Sequence, residues 1–123
     1  MKMPIAQWRQ AILAAGTRRA LPLMSAVGPG LTGLRVCDVT NDGERQARCL
    51  QDLAARFPAA AAIVTVMDLS VEAEAFGCRI QAGEHEVPTV TGSIVADGTA
   101  AHALPIPAVG AGRTGLYLKA AAM

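Results

Sequence analysis

The chain has few aromatic residues and almost no net charge. Two Phe, one Trp and one Tyr occur among 123 residues, so aliphatic side chains and alanine must form most of the core. Eleven basic and ten acidic residues leave a net charge of +1, which gives no reason to expect binding to nucleic acid or to an anionic membrane surface. We therefore expect neither nucleic acid nor a membrane as a partner.

Long apolar segments and paired cysteines are missing as well. No stretch is long enough to span a membrane, and no signal-peptide pattern opens the sequence. The three cysteines, Cys37, Cys49 and Cys78, have no CxxC spacing, which favours reduced thiols over disulfides or a metal site. His85 stands between two acids in what reads as a solvated turn, so a metal site is not favoured there either. We expect a cytoplasmic protein without a metal site in this chain.

The sequence does contain helical and strand patterns that alternate along an apolar chain, of which 52% is hydrophobic with a mean hydropathy of +0.34. The run at 59–67 does not alternate between apolar and polar residues, so it is predicted to be a strand buried on both faces. The predicted elements are a helix at 4–15, a strand at 19–27, a glycine-rich loop at 28–40, a helix capped by Asn41 and ended by Pro58, a strand at 59–67, a helix at 70–76, extended segments at 78–82 and 89–95, and a helix at 114–123.

Apolar strands separated by helices predict a parallel sheet with helices outside it, an α/β fold. Two or three such strands make an incomplete sheet, and the last helix runs to the final residue. Residues 1–123 are therefore predicted to be a single, incomplete domain, the N-terminal segment of a larger one.

Two glycine motifs match the pattern G-x-G-x-x-G: "GPGLTG" at 28–33 and "GAGRTG" at 110–115. A dinucleotide site needs a strand, the glycine loop, an immediate helix and an acid about twenty residues later. The first copy is not expected to open a helix, and the second has no following strand. Loop glycines are favoured over a nucleotide site for the first copy, whereas the pattern of the second leaves both open but forms no whole binding unit. A dinucleotide-binding module remains an alternative.

The stretch "VTVMDLSVEAEAFG" at 64–77 places a carboxylate, Asp68, directly after the buried strand. In parallel α/β folds functional groups gather at the carboxyl ends of strands, where an aspartate can orient a ligand or act as a base. Capping of the following helix by Asp68 or Ser70 is the alternative, and the pattern alone favours it.

The stretches "AAIVTVMDLSVEAEAFGCRI", "EHEVPTVTGSIV" and "VGAGRTG" closely resemble the N-terminal part of the uroporphyrinogen decarboxylase superfamily. Within that superfamily they are most similar to the corrinoid-dependent methyltransferase branch. The resemblance implies the N-terminal portion of a (β/α)8 TIM barrel, with parallel strands and flanking helices. Such barrels typically need about 250 residues, so this chain would hold only the first two or so units.

The resemblance also implies a site. Asp68 matches the active-site aspartate that binds pyrrole N–H groups in the decarboxylases, which makes it the predicted catalytic residue. Asp68, Met67 and Arg113 are the predicted substrate-binding residues, and no metal ligand is predicted. The decarboxylases carry an arginine in the region that reads "SAVGPGLTG" here, so carboxylates of a substrate would lack that partner. This departure favours the methyltransferase branch.

The implied function is transfer of a methyl group from a corrinoid (methylcobamide) protein to a small thiol such as coenzyme M. In that branch zinc activates the thiol as a thiolate. Its His-x-Cys pair and later cysteine do not occur in this sequence, so zinc is expected only in a full-length enzyme, and the chain is expected to be an inactive fragment. One alternative is a uroporphyrinogen decarboxylase-like enzyme of tetrapyrrole biosynthesis. Another is a non-catalytic structural module that forms homo-oligomers through exposed strand edges.

Overall fold

The computed structural model describes residues 3–24 and 26–123, and most of its regular structure is helical. Strands β1 (Arg79–Gln81) and β2 (Thr89–Thr91) pair in antiparallel register, with Arg79 opposite Thr91 and Gln81 opposite Thr89. In chain order the elements are α1 (Ile5–Ala14), α2 (Gly28–Thr32), α3 (Val36–Thr40), α4 (Gly43–Arg56), α5 (Ser70–Ala75), β1 (Arg79–Gln81), β2 (Thr89–Thr91), α6 (Gly98–His102) and α7 (Thr114–Ala122).

The predicted parallel α/β sheet of a TIM-barrel portion is wrong. In the described part of the chain the sheet has two antiparallel strands. Strands were predicted at 19–27 and 59–67; residue 25 lies outside the described residues. One backbone hydrogen bond joins the two segments, from Ala61 N to Ala20 O at 2.7 Å. Pro22 has no N–H to donate to a ladder, and the alanines that open the second run have little preference for strands. The two segments therefore form no sheet, and residues 26–27 and 58–61 form turns or bends instead.

The predicted glycine-rich loop at 28–40 is also wrong, because this region forms the two short helices α2 and α3. Pro29 lies in the first turn of α2, where its missing N–H costs no intrahelical hydrogen bond. Gly33 ends α2 with a φ of 71°, a left-handed conformation that glycine adopts without steric cost.

The longer predicted helices are confirmed, with small changes at their ends. α1 and α4 lie where the apolar periodicity predicted helices, α5 lies in the acidic segment at 70–76, and α7 lies in the segment whose composition favours a helix. The cap of α4 is Asp42 rather than Asn41, since the Asp42 carboxylate accepts from Glu44 N at 2.8 Å and from Arg45 N at 3.1 Å. Within residues 3–24 and 26–123, none of the helices combines the length and the apolar character needed to cross a membrane.

The hydrophobic core lies between α3, α4 and the extended segment that precedes Asp68. Helix α4 contributes Cys49 and Leu53, and Val66 packs on them from the extended segment. The full set is Val39, Cys49, Leu53 and Val66, with Leu34, Ile63 and Tyr117 packed against it. Because α7 also packs along α4, the core holds the extended segment and α7 on the same helix.

Helix α1 is peripheral and has no buried residue. Trp8 Nε1 donates to Ala61 O at 3.1 Å, and the Arg19 guanidinium donates to Pro58 O at 2.9 Å and to Ala60 O at 3.2 Å. Residues 3–24 therefore contact 58–61 and give no hydrogen-bond partner to the backbone groups of 62–67.

The contact between α4 and α7 requires glycine at the first position of α4. A Cβ added at Gly43 would lie 2.6 Å from Leu116 O, and neither backbone can yield without moving its helix. Gly98 holds the same position in α6, also after an aspartate cap, with no atom within 4 Å of an added Cβ. We expect Gly43→Ala to lower the free energy of unfolding by about 1–3 kcal/mol, measured by urea denaturation.

Gly98→Ala is the matched control. It should leave the stability within about 1 kcal/mol of the parent, in the stabilising direction, because it only restricts the unfolded chain. Equal losses in both variants would show that the α4–α7 contact is not the cause.

Candidate functional site

A buried ion pair joins two segments that lie 45 residues apart in the sequence. Arg113 Nη1 donates to Asp68 Oδ2, and the two side chains keep 11% and 0% of their exposure. Arg113 Nε also donates to Glu74 Oε2 at 2.6 Å, and Nη2 donates to Ser70 Oγ at 2.8 Å. One guanidinium thus ties Asp68 and both ends of α5 to the start of α7.

The carboxylate of Asp68 is fully occupied by groups of its own chain. Oδ1 accepts from Ser70 N at 2.9 Å and from Ser70 Oγ at 2.5 Å. Oδ2 accepts from Arg113 and from the Tyr117 hydroxyl at 3.3 Å. A carboxylate offers about four lone-pair sites, so in this arrangement none is left for a ligand N–H or a transferred proton.

The glycine motif at 110–115 builds the turn that presents Arg113. Gly110 and Gly112 have φ angles of 84° and 54°, which residues with a Cβ rarely adopt. A Cβ on Gly115 would lie 2.9 Å from Gly110 O, so the turn also closes tightly on itself. The geometry of the turn therefore accounts for these glycines without a bound nucleotide.

The protonation of this network follows from its burial and its charges. Burial alone lowers the pKa of Arg113, but its hydrogen bonds to Asp68 and Glu74 and the two negative charges outweigh burial and raise that pKa above its ordinary value. Burial first, and then the charge of Asp68, raise the pKa of Tyr117. Both side chains therefore stay protonated at neutral pH, and Tyr117 can donate to Asp68.

An open cleft of about 590 Å³ lies beside Asp68, between the extended segment with α5 and the segment that leads into α7. Met67 and Asp68 of the predicted substrate-binding set line it, whereas Arg113 reaches it only through Asp68. Most of its wall is apolar. The lining consists of Thr65, Val66, Met67, Asp68, Leu69, Val71, Glu72, Ala75, Ala108, Val109, Gly110, Thr114, Tyr117, Leu118 and Ala121.

A second cleft, of about 450 Å³, shares Met67 and Leu69 with the first and has no charged residue in its lining. It is formed by Met67, Leu69, Ser70, Val87, Pro88, Thr89 and Val90. The end of the extended segment therefore borders two open, largely apolar clefts.

The backbone of residues 62–67 has no hydrogen-bond partner in the described part of the chain. Apart from Met67, these residues are buried or half-buried. The apolar run predicted extended, buried backbone here and also predicted partner strands, which are absent from the described residues. The described residues contain no strand at 59–67, and no local sequence signal indicated that the backbone groups of 62–67 would lack partners.

The described residues do not offer a donor set for the zinc implied by the resemblance. They contain no group of three or more His, Cys, Asp or Glu side chains that could hold a metal ion. The cysteines are free thiols, and burial raises the pKa of Cys49, which makes that thiol less reactive. We assign no zinc chemistry to these residues.

Removing Arg113 should strongly destabilise the fold. Arg113→Gln leaves the Asp68 carboxylate buried without its cation, and breaking a buried pair in this way costs about 3–5 kcal/mol. Chemical denaturation would measure the loss. The matched control is Lys119→Gln, which breaks an ion pair of 2.8 Å to Glu44 whose side chains are both 54% exposed; it should leave the free energy of unfolding almost unchanged. Similar small losses in both variants would contradict a structural role for the buried pair.

Tyr117 should titrate above the ordinary tyrosine range. It is the only tyrosine in the chain, so absorbance reports its phenolate alone. Because the folded pKa is raised above the unfolded value of about 10, the associated stability is complete below pH 10 or so and is lost as the pH rises toward the folded value. Tyr117→Phe should remove this alkaline loss, and an unchanged loss in that variant would assign it to other groups.

The comparisons with known proteins give no relatives for this site. No family model matches the chain, and no curated protein or solved structure matches it. The resemblance to the uroporphyrinogen decarboxylase superfamily therefore stays a prediction from the sequence, and any function must be argued from the site itself.

Proposed function

We propose that this chain is a non-catalytic binding module that accepts an extended strand of another polypeptide along residues 62–67. The observation that carries the proposal is the unpaired backbone of this segment, whose amide and carbonyl groups have no partner among the described residues although most of the segment is partly buried. Buried backbone groups without partners are costly. An added strand supplies a partner to each donor and acceptor along one edge.

The composition of the segment supports the same proposal. Residues 62–67 read "AIVTVM", with neither proline, glycine nor charge. Four β-branched residues in a row, 63–66, favour extended backbone. Residues 62–67 form no helix or turn of their own, so no regular structure has to open before a strand is added.

The two clefts supply places for the side chains of the added strand. Successive side chains of a strand point to opposite faces, and the end of the segment borders both clefts. Met67 is 54% and Leu69 is 80% exposed, and covering them adds apolar burial to the backbone hydrogen bonds. We propose that the backbone provides affinity and that the clefts select apolar side chains.

Asp68 supports binding over catalysis. Its oxygens accept from Ser70, Arg113 and Tyr117, and a general base needs a free lone pair within reach of the proton it removes. Methyl transfer to a thiol with a corrinoid partner, and decarboxylation of a tetrapyrrole, stay predictions from the resemblance. The state of Asp68 supports neither reaction.

Binding of a designed peptide tests the proposal. The probe is a labelled peptide of about six alternating valine and threonine residues, flanked by lysines for solubility. We expect saturable binding by fluorescence anisotropy, and at least a tenfold or so loss when alternate peptide amides are N-methylated, because methylation removes backbone donors and keeps the side chains.

Two further results would decide the matter. Val64→Pro in the protein removes one backbone donor from the segment and should weaken binding, with circular dichroism used to check that its helices are retained. Equal affinity for the methylated and unmethylated peptides would mean that side chains alone drive binding, and would overturn strand addition.

A further inference from the structure

Resting on the proposed function, we infer that the strand is supplied by a second copy of this chain. Residues 62–67 of two copies pair antiparallel about a two-fold axis, and each copy completes the open backbone of the other. The pairing is isologous, so the same surface is covered on both subunits.

The charges around the segment favour an identical partner. Residues 62–67 carry no charge, and the adjacent Asp68 is fully buried and neutralised by Arg113. Two copies therefore meet without like-charge repulsion, which would otherwise oppose a symmetric interface. The net charge of +1 is too small to keep copies apart. A partner recognised by charge would find no complementary charge along this segment.

The side chains of the segment also match one another. Thr65 is half-buried, and its hydroxyl has no hydrogen-bond partner within the described part of the chain. When Thr65 lies on the two-fold axis it faces its own copy, and paired threonines hydrogen-bond across antiparallel strands. This register places Val64 opposite Val66 and Ile63 opposite Met67, so apolar residues meet apolar residues.

A charge-exchange experiment tests this pairing. Sedimentation equilibrium of the wild-type chain should give a mass near twice 12.7 kDa that decreases on dilution. Thr65→Lys and Thr65→Glu each place like charges face to face, and each variant alone should self-associate at least about tenfold more weakly. An equimolar mixture of the two variants should restore the dimer, a rescue that misfolded variants would not show.

Thr99→Lys is the matched control, because Thr99 is exposed on α6, and it should dimerise like the wild type. A wild-type chain that stays monomeric at all concentrations, or a mixture that fails to associate, would overturn pairing between copies. The proposed strand binding is tested separately, because the designed peptide measures binding to a single copy of the chain. Peptide binding by a monomeric chain would leave the proposed function intact and assign the strand to another protein.

Discussion

The buried contact between Arg113 and Asp68 is the interaction on which the rest of the structure depends. Taking both charges out of water is expensive and is offset only by good geometry and additional hydrogen bonds. Ser70, Glu74 and Tyr117 provide those hydrogen bonds. The pair thereby holds the end of the extended segment, helix α5 and the start of α7 in one arrangement, and it determines the shape of the cleft between them.

The same contact explains how the uncharged segment at 62–67 can be followed directly by a carboxylate. An uncovered edge is a template for pairing with another chain, and many proteins block such edges with charged residues. Here the charge of Asp68 is buried and compensated by Arg113, so it does not protect the edge. The unpaired backbone and the buried carboxylate are therefore linked, because the ion pair leaves the edge proposed to accept a strand without an exposed charge.

Local sequence signals predicted the longer helices, because α1 and α4 carry an apolar periodicity and the composition of 114–123 favours a helix. The strand predicted at 59–67 is absent from the described residues, and the cap of α5 is Leu69 rather than Asp68 or Ser70, although the helix predicted at 70–76 is present. The parallel barrel failed because a strand pattern reports a backbone conformation but not its neighbours. Pro22 and the alanines before Ile63 weaken the single pairing that the barrel needed, and the contact stops at one hydrogen bond.

The sequence by itself determined helices α1, α4, α5 and α7, the uncharged run at 62–67 and the position of an acid after it, since these depend on residues close together in the chain. Tertiary structure alone decided that Arg113, distant in sequence, donates to the Asp68 carboxylate. It also decided that the backbone groups of 62–67 have no hydrogen-bond partner in the described residues. Both outcomes depend on which distant groups meet in the folded chain. Spacing shows where a carboxylate lies, but the availability of its lone pairs depends on groups brought to it by folding.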